Sequence, residues 1–166
     1  MPHDPKCVPW HQDASYWPFT PARTVTCWLA IDDSTLENAC MSVLPGTHRM
    51  GHLNWKRTSK AAVLEQEIEE IERYGKAAPI ELNAGEIELH ADMLAHGSPP
   101  NTSSRRRCGL TMRYCPSYVR SIKHDWTHQA VLCRGADEGN FWKHTQRPSG
   151  EDLRQPHQRK LQIGGN

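Results

Sequence analysis

The sequence has no apolar run near the roughly 20 residues that a membrane-spanning helix needs. It has almost no net charge, with 20 Lys and Arg against 19 Asp and Glu. No basic field is therefore available to attract nucleic acid or an anionic membrane surface. Aromatic residues make up only 7% of the chain, so the core is expected to be modest or completed by another segment. The six Cys, at 7, 27, 40, 108, 115 and 133, form no Cys-x-x-Cys pair. That argues against a disulfide framework and against a thiolate metal site. Met1-Pro-His-Asp-Pro-Lys6 is followed by no apolar stretch, so it is not a secretory leader. Free thiols without a leader predict a cytoplasmic protein. A length of 166 residues fits one domain with its own core.

What is present is a series of short strands. Thr24–Ile31 is rich in β-branched and aromatic residues and reads as the strongest of them. Cys40–Leu44 is a second strand, stopped by Pro45-Gly46; Thr47–His52 is then a polar loop, with His48 and His52 on the surface. Pro79–Leu82, Glu86–His90 and Cys108–Tyr114 follow, separated by Asn, Gly and Pro turns. Leu64, Ile68 and Ile71 fall at i, i+4, i+7, which predicts one helix over Ser59–Lys76 with its glutamates on the solvated face. Pro18 and Pro21 exclude regular structure from Ala14–Pro21. The pattern is all-β, a barrel or jelly roll with one inserted helix. Residues 1–120 are expected to form this core and 121–166 a polar tail, ordered in part, in which Trp126, Phe141 and Trp142 fold back over the site.

The chemistry centres on Trp10-His11-Gln12-Asp13 and His96-Gly97-Ser98. In an extended chain His11 and Asp13 share one face and Gln12 points away. Two ligands on one face plus a distant His make a 2-His-1-carboxylate triad, which holds ferrous iron and leaves positions open for a co-substrate and oxygen. A keto acid co-substrate needs a cation for its far carboxylate, and the planar fork of Arg suits it. Arg105, Arg106 and Arg107 follow the second His, and alternation lets one of them point inward. The aromatic loop Tyr16, Trp17 and Phe19 either lines a substrate pocket or packs on the core.

The chain resembles the phytanoyl-CoA dioxygenase family of Fe(II)/2-oxoglutarate-dependent oxygenases. The matching residues are Trp10–Asp13 with Tyr16, then Val25–Asp32, Glu37–Cys40, Leu44–His48, Gly85-Glu86, His90, and His96–Ser98 with Asn101 and Arg107. The resemblance implies a double-stranded β-helix, jelly-roll and cupin-like. It implies His11, Asp13 and His96 as iron ligands and Arg107 as the partner of the 2-oxoglutarate carboxylate, with Arg105 of the same parity as the fallback. Trp28 and Ser98 fall where the family lines the co-substrate site. A carboxylate at position 13, where related halogenases have a small residue, implies hydroxylation of a small molecule with release of succinate and carbon dioxide. Gln12, Tyr16, Trp17 and His90 are candidate substrate contacts, with packing or ligand support as their other reading.

Members normally carry a long region before the His-x-Asp, whereas ten residues precede His11 here. The barrel is therefore expected to be incomplete, with open sheet edges that favour self-association or a completing segment. Ala39 stands where the family has Gly after Asn. Two alternatives to the hydroxylase are an inactive fragment or binding module of the same fold, and a cupin-type metal enzyme that uses no 2-oxoglutarate.

Overall fold

The computed structural model describes residues 1–123 and 130–147. Strands carry the fold: β1 (Val8–His11), β2 (Phe19–Thr20), β3 (Val25–Ala30), β4 (Ser42–Val43), β5 (Trp55–Arg57), β6 (Gln66–Ile68), β7 (Ala78–Pro79), β8 (Ile87–Ala91), β9 (His96–Ser98), β10 (Gly109–Tyr114) and β11 (Arg120–Ser121). Two antiparallel sheets frame the site, one ordered β10-β3-β8 and the other β1-β9-β4-β7. Two-stranded ribbons, β2 with β11 and β5 with β6, complete the pairing. Among the described residues no helix is long and apolar enough to cross a membrane.

In the three-stranded sheet the register sets Thr26 beside His90 and Arg113, and Trp28 beside Glu88 and Thr111. These side chains share one face, because side chains alternate along a strand. That face looks toward the other sheet, and Thr26 reaches across to Asp13, just past β1. The opposite face is apolar, carrying Val25, Cys27, Leu29, Ile87, Leu89, Leu110 and Tyr114. Much of it is exposed, with Leu89 at 64% and Ile87 at 52%.

In the four-stranded sheet β1 lies very close to β9. A Cβ at Gly97 would come within 2.9 Å of the Val8 carbonyl oxygen and 3.2 Å of the Trp10 Cα. The bare glycine is what lets His11 pair with His96 across the ladder. Leu44, Leu53, Ile68 and Ala95 form a buried cluster, with Trp10, Ile71 and Tyr74 packed against it. Burial of Leu44, Leu53 and Ile68 contributes about 1.5–3 kcal/mol each. Ala39 occupies the left-handed region at φ 66°, the conformation that makes glycine usual there.

The helix expected over Ser59–Lys76 does not form. Gln66–Ile68 pairs antiparallel with Trp55–Arg57, and the next turn is a short 3-10 segment, Ile71–Tyr74. Glu70 at φ 48° breaks any helical path between them. Helix propensity is a weak prior that tertiary context overrides. Here Trp55–Arg57 supplies a partner strand, Lys60 and Thr58 bond Glu67, and Ile68 is buried with Leu44 and Leu53. The irregular stretch expected at Ala14–Pro21 holds one short strand, because Phe19 and Thr20 pair with Ser121 and Arg120 between the two prolines. Trp142 does fold back: its Nε1 donates to the Val119 carbonyl at 2.7 Å and its ring meets Phe19 edge-on at 5.5 Å. It lies on the β2–β11 ribbon and not over the cluster of His11 and Asp13. Trp126 lies outside the described residues.

Candidate functional site

β1 ends on His11, and the chain stays extended through Gln12, at φ −113° and ψ 129°, before turning in the 3-10 segment Asp13–Ser15. The strand's alternation therefore carries one residue past its end. His11 and Asp13 face the interior, while Gln12 faces away. β9 opens on His96, directly across from His11. All three side chains are buried.

The donor atoms of His11, Asp13 and His96 lie within 4.8 Å of one another. His11 Nε2 is 3.6 Å from Asp13 Oδ1 and His96 Nε2 is 4.0 Å from it. Each ring is oriented by its own backbone: His11 Nδ1 donates to the Pro9 carbonyl at 2.8 Å, and His96 Nδ1 to that of Leu94 at 2.9 Å. A carbonyl only accepts, so Nδ1 carries a proton, which leaves Nε2, the nitrogen facing the centre, as the one available to ligate. Two imidazoles and a carboxylate are a donor set that suits a divalent transition metal.

Electrostatics favour the ligating forms of Asp13 and His96. Burial alone would raise the Asp13 pKa, but the facing His11 and His90 rings, with His96 and Arg113, outweigh it and hold the carboxyl well below its usual range. Burial pushes His96 down to about 3, helped by His11 and His90, so its ring is neutral near pH 7. His90 goes the other way. Burial opposes its charge, yet Asp13 and Glu88 on either side raise it to about 9. Its Nδ1 bonds Glu88 at 2.7 Å, and its Nε2, without a hydrogen bond of its own, sits 3.6 Å from Asp13 Oδ2.

A cavity of about 380 Å³ opens over the cluster. Arg107 lines it and donates to Ser98 Oγ at 3.2 Å, with its guanidinium 5.9 Å from the Trp28 ring centre. Burial lowers the Arg107 pKa, but a guanidinium remains a cation in a protein. Arg105 turns outward to Asp33 and Glu37, and Arg106 to Asp32. Of the three arginines only Arg107 enters the cavity, so the parity shared by Arg105 does not bring it in. Tyr16 and Trp17 also line the cavity; Tyr16 OH accepts the Gln66 N–H at 3.0 Å.

Gln12 is not placed to meet a substrate. Its Nε2 donates to the Gly51 and Met93 carbonyls at 2.9 and 2.7 Å, and its Oε1 accepts the Leu53 N–H at 2.8 Å. Being 1% exposed, it has no contact with the cavity. Three residues not singled out from the sequence belong to the site. Thr26 donates to Asp13 Oδ2 at 3.0 Å, Glu88 holds His90, and Arg113 lies 3.8 Å from Asp13 Oδ2. Strand parity could have found them: Thr26 shares a face with Trp28, Glu88 with His90, and Arg113 with Thr111.

Two facing antiparallel sheets with a His-x-Asp and a distant His converging between them define a double-stranded β-helix built around a metal-ligating cluster. A family model described as Phytanoyl-CoA dioxygenase (PhyH) matches residues 1–109, and the chain belongs to this family. It is 33% identical over 109 residues to a phytanoyl-CoA dioxygenase domain-containing protein 1 homolog of Dictyostelium discoideum, covering 63% of this chain and 39% of that protein. It is 30% identical over 129 residues to a probable phytanoyl-CoA dioxygenase of Caenorhabditis elegans, covering 75% and 41%. The chain thus spans about four-tenths of the length of these curated relatives. Among solved structures, the non-heme monooxygenase ThoJ aligns with a TM-score of 0.69 at 25% identity, over 91% of this chain and 54% of that one.

Proposed function

We propose that this chain is the core of an Fe(II)- and 2-oxoglutarate-dependent oxygenase that hydroxylates a small organic molecule and releases succinate and carbon dioxide. The observation that carries the reading is the convergence of His11 Nε2, Asp13 Oδ1 and His96 Nε2 beneath a cavity that also receives the Arg107 guanidinium. His11, Asp13 and His96 would hold the iron. Arg107, seated by Ser98 and Trp28, would bind the far carboxylate of 2-oxoglutarate in a charge-assisted pair. When bound, the iron supplies oxygen activation, coupled to decarboxylation of the keto acid.

The chain's own residues prepare that chemistry. The Pro9 and Leu94 carbonyls keep both imidazoles in the ligating tautomer. Thr26 holds Asp13 Oδ2 from the opposite sheet, leaving Oδ1 toward the histidines. Tyr16 and Trp17 line the cavity; they and His90 are the remaining candidates for substrate contact. The enclosed position of His90 between Glu88 and Asp13 favours a supporting role for it.

The core is assigned to residues 1–120, in keeping with the family match over 1–109. The six Cys, none in a disulfide, support a reducing, cytoplasmic location. The exposed apolar face of the β10-β3-β8 sheet supports association with a second copy or a completing segment.

The test is an anaerobic titration with Fe(II) and 2-oxoglutarate, followed by the visible charge-transfer band of the chelated complex, with His11→Ala as control. A band that is lost in the variant supports the reading. No band in a folded sample overturns it, and turnover without keto acid would assign the site to a cupin-type enzyme instead.

A further inference from the structure

Arg113 stands out from the other arginines around the site. It lies on β10 across from Thr26, on the face that meets the cluster. Its guanidinium lies over the Trp17 ring, 4.7 Å from the ring centre, and its side chain is 45% exposed and lines the cavity. Arg105 and Arg106 are bound to carboxylates and Arg107 to Ser98. The charged partner of Arg113 is Asp13 Oδ2 at 3.8 Å, too far for a hydrogen bond. That oxygen already accepts from Thr26 at 3.0 Å. Among the described residues the five N–H donors of Arg113 therefore have no hydrogen-bond acceptor.

We infer that Arg113 and Trp17 form a binding site for an anionic group of the substrate, a carboxylate or phosphate. The inference rests on the cavity being the oxygenase site proposed above. The Trp17 ring against the guanidinium restrains it at the cavity that both residues line. A planar fork of donors matches the two oxygens of a carboxylate or phosphate. Of the carboxylates nearby, Glu88 is bonded to His90, and Asp13 meets Arg113 only as an ion pair at 3.8 Å through an oxygen that Thr26 already bonds, so the N–H donors stay open. Because Arg113 lies so close to Asp13, an acid held there would present a carbon near its anionic group to the centre. The cavity, about 380 Å³, sits at the small end of ligand pockets. Both features favour a compact acid over the far end of a long chain.

The test uses inorganic phosphate and benzoate as probes. Their binding is followed by calorimetry to the whole chain, first alone and then with Fe(II) and saturating 2-oxoglutarate under anaerobic conditions. Removing a charge-assisted pair of this kind corresponds to about tenfold or more in affinity. Arg113→Gln is expected to weaken at least one probe by that factor and to weaken 2-oxoglutarate less than it weakens the probe. Arg107→Gln is expected to do the reverse. Arg113→Lys, which keeps the charge without the fork, should fall between wild type and Arg113→Gln and guards against a folding defect. Probe binding that is unchanged in Arg113→Gln overturns the inference. So does a probe displaced by 2-oxoglutarate, which would make Arg113 part of the co-substrate site. If wild type forms no iron complex, the proposed function fails, while the probe titrations without metal still decide for or against Arg113.

Discussion

Gln12 lies between two of the proposed ligands, and replacing it with Leu separates two explanations for a polar residue at that place. The side chain makes three hydrogen bonds, at 2.7, 2.8 and 2.9 Å, to backbone groups of Met93, Leu53 and Gly51. Leucine fills a similar volume and makes none of them. The Leu53 N–H is buried and would lose its acceptor, which costs about 1–3 kcal/mol. The Met93 carbonyl is half-buried and adds part of a second such loss, whereas the Gly51 carbonyl is exposed and can turn to water. Added apolar burial offsets some of this, leaving a net destabilisation of about 2–4 kcal/mol. For a chain of this size that lowers Tm by about 5–15 °C. The assay is thermal unfolding of metal-free protein followed by circular dichroism. Iron affinity should fall as well, because the displaced segment carries His11 and Asp13 on either side. A Tm within about 2 °C of wild type would refute the reasoning. If substrate KM rose at unchanged Tm, Gln12 would be a substrate contact after all.

Three further outcomes follow from the same geometry. Thr26→Val keeps the shape of a buried residue but removes the donor to Asp13 Oδ2. Iron affinity should drop about 10–100-fold, as for other partners of metal ligands, and an unchanged Kd in a metal-competition titration would count against it. Gly97→Ala places a methyl against the backbone of Val8, Pro9 and Trp10. It should cost about 1–3 kcal/mol by overpacking and loosen the pairing of His11 with His96, read as a lower denaturation midpoint together with weaker metal binding. Arg107→Gln should raise the Kd for 2-oxoglutarate about tenfold or more through loss of a charge-assisted pair. Arg105→Gln should leave it unchanged, since Arg105 faces Asp33 and Glu37; equal effects would undo the assignment of the cavity to Arg107.

The strands at Val25–Ala30, Ile87–Ala91 and Gly109–Tyr114 were legible because β-branched and aromatic residues and turn residues agree there. The pairing of His11 with Asp13 was legible for a related reason: extended chain has a period of two, and the backbone holds that period through Gln12. Ser59–Lys76 was misread because three apolar residues at helical spacing are also satisfied by a strand and a turn. Ile68 is buried either way, and Trp55–Arg57, which decides the matter, lies outside the window being read. Gln12, offered as a substrate contact or a packing residue, could not be resolved locally for a different reason. Its neighbours are chemically active, but its partners at Gly51, Leu53 and Met93 are 39 to 81 positions away and leave no local trace.

The residues the sequence did not offer are all on the sheet opposite the histidines. Asp13 explains why they matter. Its Oδ1 faces His11 and His96 from the β1-β9-β4-β7 side, while its Oδ2 is held by Thr26 and flanked by His90 and Arg113 from the β10-β3-β8 side. One carboxylate therefore joins the two sheets at the point where the metal would sit. A motif such as His-x-Asp records which atoms ligate, but the direction of the second oxygen is set by strands that become neighbours only on folding. Thr26 and the register of β3 with β8 therefore set how Asp13 is presented to the two histidines, which the His-x-Asp motif alone does not fix.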